Sequence, residues 1–164
     1  MKDFKPSRIG RTHIVLPLVL IFAGLVAIFG ASWQHTFMPA ILQAVGVLCL
    51  AYSIFVVNRY SLTAFIYTIG EDSPDLLCVY RINGKKKKID LTVDLSLAVS
   101  AVRAKDGVFP KARGVRRVSR CLNIFPEDRA IITIKSGDDV TELIIEVDDE
   151  FFAEIERHIG VHIE

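Results

Sequence analysis

Apolar residues crowd the first third of the chain, and the polar positions there fall at its edges. From Thr12 to Asn58, 47 consecutive positions carry no formal charge. The stretch divides into IVLPLVLIFAGLVAIFGA (Ile14–Ala31) and FMPAILQAVGVLCLAYSIFVV (Phe37–Val57), separated by SWQHT. At 1.5 Å rise per residue the two runs reach roughly 27–31 Å, about the hydrocarbon thickness of a bilayer. The pattern predicts two membrane-spanning helices joined by a tight turn, with Trp33 at headgroup level. Pro39 falls in the first turn of the second helix, where its missing N–H is harmless. A cleaved signal peptide is the rival reading of the first run. Its apolar length, and the second run that follows at once, argue against that.

After Arg59 the period of the pattern changes from helical to twofold. Thr63–Ile69 alternates apolar and smaller residues as a strand does, and Leu76–Ile82 predicts a second strand beyond the turn Gly70–Asp75. Asn83-Gly84 predicts a two-residue hairpin turn of type I′, with KKIDL returning as a third strand. Residues 90–97 predict a bend or helical turn, and Ala98–Ala104 another strand. Lys105–Arg117 predicts a loop, and CLNIF, AIITIK and VTELIIEV predict three further strands. The chain closes with an amphipathic helix in DDEFFAEIERHIG. Asp148 or Asp149 is its N-cap, Phe151 or Phe152, Ile155 and Ile159 form its apolar face, and Gly160 is its stop.

The predicted organisation is therefore a basic tail (1–13), a two-helix transmembrane hairpin (14–58) and an α+β domain (59–164). About seven strands and a terminal helix, in that order, resemble the pleckstrin-homology-like (PH-like) fold. The whole chain resembles small bacterial membrane proteins with two N-terminal spans and a cytosolic PH-like domain. That resemblance implies a bent β-sheet or barrel of about seven strands capped by the C-terminal helix. A small β-barrel or a two-layer α+β domain is the alternative for the same elements. Two features depart from the PH pattern. The terminal helix lacks the usual tryptophan, and the first hairpin loop, GEDSPD, is acidic rather than basic. Phosphoinositide binding is carried to no residue.

Charge changes the picture in two ways. Lys2, Lys5, Arg8 and Arg11 precede the apolar stretch, none lies in its turn, and Arg59 follows it, so the positive-inside rule places both ends in the cytoplasm of a multi-pass cell-membrane protein. The near-neutral total of +1 also hides a polarised domain. Residues 81–120 hold twelve Lys/Arg against three Asp/Glu, and residues 127–164 hold three against twelve. The lysine run Lys85, Lys86, Lys87 and Lys88, with Arg113, Arg116, Arg117 and Arg120, is the candidate contact for anionic lipid headgroups or a protein partner. Its bland reading is a solvated hairpin that keeps a strand edge from pairing. Nucleic acid is disfavoured because no aromatic interrupts the lysines to stack bases.

Candidate chemistry is thin. Asp138-Asp139 and Asp148-Asp149 suit a turn and a cap, and His158 and His162 have helical metal-pair spacing, but Gly160 lies between them. Cys49, Cys78 and Cys121 show no CxxC spacing, and no nucleophile motif or phosphate-cradling loop occurs. The expected protein is a non-enzymatic binding module without cofactor or metal. The alternative is an accessory subunit of a larger membrane transporter or enzyme. Small residues at four-residue spacing, Ala23, Ala27 and Ala31 with Ala40 and Ala44, together with the lone intramembrane amide Gln43, are the candidate surface for packing the helices, for a homo-oligomer or for a membrane-protein partner.

Overall fold

A computed structural model describes residues 2–32, 38–71, 73–105, 114–137 and 139–160. The chain forms two compact units.

The helical unit, residues 9–63, holds α1 (Thr12–Gly30) and α2 (Pro39–Val56), the latter prolonged by a π-helical turn, Val57–Ser61. Both helices are long and apolar enough to cross a membrane. Pro17 lies inside α1, where it cannot donate to the carbonyl of His13 four residues earlier. The Ser61 hydroxyl donates to that carbonyl at 2.9 Å, so the gap is closed from the end of the second helix. The helices pack backbone to backbone at Gly24 and Gly46, both buried. A Cβ on Gly46 would stand 2.8 Å from the Gly24 carbonyl oxygen and 2.6 Å from Ile28 Cγ1. One on Gly24 would stand 2.9 Å from the Gly46 oxygen. Backbone against backbone is the contact that only glycine permits.

The second unit is built from both sides of this insertion: residues 2–8 and 64–160. One four-stranded sheet has the order β1-β2-β3-β4, from β1 (Lys2–Phe4), β2 (Thr63–Ile69), β3 (Leu76–Asn83) and β4 (Lys86–Asp94). The other has the order β5-β7-β8-β6, from β5 (Ala98–Lys105), β6 (Arg116–Ser119), β7 (Asp128–Ser136) and β8 (Asp139–Glu146). β6 runs parallel to β8, and α3 (Asp149–Gly160) follows β8. The Asp148 carboxylate accepts from the Phe151 amide at 2.7 Å, which fixes the cap at the first of the two aspartates. One core joins the layers: Phe65, Tyr67, Leu77 and Val79 from the first sheet, Ile132, Leu143 and Ile145 from the second, and Phe151, Phe152, Ile155 and Ile159 from α3.

Four features differ from the sequence reading. The basic tail is not separate: β1 pairs with β2, and Phe4 stacks 6.1 Å from Tyr67 and 5.5 Å from Phe151. Three extended residues at a sheet edge give too short a run for periodicity to register. CLNIF forms bends, not a strand, and the strand lies just before it, at Arg116–Ser119. Its cations had suggested a loop, but on an edge strand they face carboxylates, as Arg117 does Glu142. Among the described residues the strands form two four-stranded sheets, with no closed barrel. Finally, Asn83 pairs with Lys86, so the two central turn residues are Gly84 and Lys85. Only Gly84 has positive φ, the pattern of a type II′ turn rather than I′.

The topology also fixes which features share an end of the first sheet. β1 is antiparallel to β2, with Lys2 opposite Ile69 and Phe4 opposite Tyr67, so the chain leaves Phe4 heading toward the start of β2. β2 turns into β3 through a short loop closed by Gly70 N–H donating to Leu76 O, which makes the pair a hairpin. The β3–β4 tip therefore returns to the end where β2 begins.

Replacing Gly46 by valine must push the helices apart, since the Gly24 carbonyl cannot move aside as a side-chain end would. Overpacking of this kind costs about 1–3 kcal/mol. Thermal unfolding of the detergent-solubilised protein should report a lower midpoint for the helical unit, and an unchanged midpoint would contradict the close approach.

Candidate basic surface

The lysine run occupies the β3–β4 tip and the first residues of β4, and all four lysines are exposed. The register sets Lys86 opposite Asn83, Lys87 opposite Ile82, and Lys88 opposite Arg81. Strand alternation puts Lys86 and Lys88 on one face with Arg81, and Lys87 on the other. On that second face the Lys87 ammonium lies 3.7 Å from the centroid of the Tyr80 ring, a cation–π contact to a diagonal neighbour. The Tyr80 hydroxyl hydrogen-bonds Glu71 Oε2, which holds the ring in place. Arg81, Asn83, Lys85–Lys88, Ile89 and Asp90 line an open cleft of about 910 Å³.

The arginines proposed with the lysines behave differently. Arg117 is paired with Glu142 at 2.5 Å, and Arg120 with Asp90. Asp90 is two residues from Lys88 on β4, so Arg120 reaches the base of the lysine hairpin but arrives neutralised. Arg116 is exposed at the outer edge of β6. Arg113 lies outside the described residues, as do Trp33, His35, Asp138 and His162. Among the described residues, Arg81, Lys85, Lys86 and Lys88 form no ion pair with a carboxylate. Arg81 is the member of the cluster that the run of identical letters hid; its register opposite Lys88 is the signal, and only a pairing map reveals it.

Elsewhere, charged groups hold structure. Arg103 donates from Nε to Asp128 at 3.2 Å, from its terminal nitrogen at 2.8 Å, and to Asp149, tying β5 and β7 to the start of α3. These bonds, Asp128 first and Asp149 next, hold its guanidinium more firmly in the charged form than usual. His158 Nδ1 lies 2.9 Å from Asp75 Oδ1 and its Nε2 lies 3.5 Å from Glu154, so both ring nitrogens face carboxylates. Buried Glu146, 4% exposed, accepts from the Asn123 amide at 2.6 Å and from its side-chain Nδ2 at 2.9 Å. Asn123 Nδ2 also donates to the Ser7 carbonyl at 2.9 Å. This relay fastens the segment entering α1 to the end of β8. In the helical unit, Ala31 is buried and Ala27 half-buried, whereas Ala23, Ala40, Ala44 and Gln43 are exposed.

Comparison of the chain with family profiles, with curated proteins and with solved structures finds no match.

Arg81 opposite Lys88 is a like-charge cross-strand pair, and such pairs destabilise a hairpin by about 0.2–1 kcal/mol. The substitution Lys88→Glu should therefore raise the stability of the sheet unit by about that amount in chemical denaturation. A loss of stability would show that the two cations do not repel one another in the fold.

Proposed function

We propose that this is a membrane-anchored binding protein whose sheet unit, a PH-like module in role, holds an anionic lipid surface through the cations of the β3–β4 tip. The observation that carries this reading is topological. β1 ends heading toward the end of the sheet at which β2 begins and the lysine tip lies. Ser7 precedes Thr12 of α1 by five residues, and Ala64 follows Ser61 by three. Fully extended, those links span at most about 17 Å and about 10 Å. If α1 and α2 cross the bilayer, the end of the sheet that bears the lysines is leashed close to the headgroups.

Energetics favours the same use. Each cation near an anionic leaflet contributes about 1 kcal/mol, fading over a Debye length of roughly 8–10 Å. Lys85, Lys86, Lys88 and Arg81 together supply enough to orient a tethered domain, and Arg117 and Arg120 add little because their charge is already met. The hairpin bears a local electrostatic cost that an anionic surface would offset. The basic residues flanking the apolar helices support a cytoplasmic position for this unit.

The test is amine footprinting of the full chain in nanodiscs. A water-soluble acylating reagent should label Lys85–Lys88 less in anionic than in zwitterionic lipid, and high salt should erase the difference. Equal labelling in both lipids at low salt would reject lipid contact by these lysines.

A further inference from the structure

Resting on the membrane-anchored reading above, we propose that the loop after Cys121 is a second lipid contact, with Phe125 inserted as an apolar wedge at the headgroup–acyl boundary. Phe125 is 75% exposed, the most exposed large apolar side chain among the described residues. Its neighbours in sequence are not loose: Cys121, Leu122 and Asn123 are buried, and Asn123 is locked by the Glu146 carboxylate. A bare phenyl ring held out from a fixed base two residues away is costly in water and suited to an interface, where phenylalanine on the apolar side of peripheral elements is buried.

Its place in the fold selects the occupant. Asn123 donates to the Ser7 carbonyl, and Ser7 belongs to the segment that leaves Phe4 heading toward the start of β2 and then enters α1. Phe125 is two residues from Asn123, so at most about 7 Å of chain separates it from the residue that holds the Ser7 carbonyl. Both peptide links to the apolar helices lie toward the end of the sheet at which β2 begins. Cations with one apolar wedge form the pairing that peripheral lipid-binding surfaces use: charge draws the surface in and the buried ring holds it. A bilayer, which α1 and α2 are long and apolar enough to cross, fits this end better than a soluble partner does.

Two single-tryptophan proteins, Phe125→Trp and Leu48→Trp, each in a Trp33→Phe background, test the inference in full-length protein reconstituted into vesicles of anionic lipid. Leu48 is exposed on α2 and reports whether that helix lies in lipid. Quenching of both tryptophans by brominated acyl chains, with blue-shifted emission from position 125, is the expected result. Quenching at 48 with water-like, unquenched emission at 125 would overturn the wedge and leave the anchor standing. Absence of quenching at both would overturn the anchored reading and the wedge with it.

Discussion

Everything in this protein depends on the seating of a three-residue strand. Lys2–Phe4 adds an edge to the first sheet, Phe4 fills a place between Tyr67 and Phe151, and the Glu146–Asn123–Ser7 relay secures the chain just beyond it. The sheet unit is thus assembled from residues on both sides of the helical insertion. Burying Glu146 without its donors would be expensive, so the relay and the strand stabilise one another. A chain that begins and ends an apolar hairpin in the same folded body can send that hairpin into a bilayer only as an even number of crossings.

The two units obey different physics. In the helices Gly24 and Gly46 leave no room for a Cβ between the two backbones, and Ser61 closes the hydrogen bond that Pro17 leaves open. Such economy suits a surrounding that offers no water to unpaired groups. In the sheet unit, aromatic and β-branched side chains of two sheets and α3 share one core, and ion pairs such as Arg103 with Asp128 and Asp149 lie at its margins. Against that background of matched charge, the β3–β4 tip stands out, because Arg81 faces Lys88 rather than a carboxylate.

Much of this was legible in the letters. Long uncharged runs announced both helices, twofold alternation announced β2, short apolar runs bounded by turn residues announced β3, β5, β7 and β8, and the aspartates before a 3.6-residue apolar period announced α3. What stayed hidden had physical reasons. β1 is too short to show a period, and its pairing is non-local. β6 is a charged edge strand whose partner, Glu142, is distant in sequence. Beyond the alanines singled out for helix packing, Gly24 and Gly46 bring the two backbones too close for a Cβ on either. The lysines of the candidate site were plain to see; that Arg81 joins them while Arg117 and Arg120 are already paired depends on register, which no local pattern encodes.

The most direct measurement is the sidedness of the two ends of the insertion. Cysteines placed at exposed Lys5 and exposed Lys135, each in a background without the native cysteines, can be probed in sealed membrane vesicles with an impermeant thiol reagent. Both positions should be labelled from the same face and neither from the other. Labelling from opposite faces would place β1 and β7, which share one folded unit, on different sides of the bilayer and contradict the fold at its foundation.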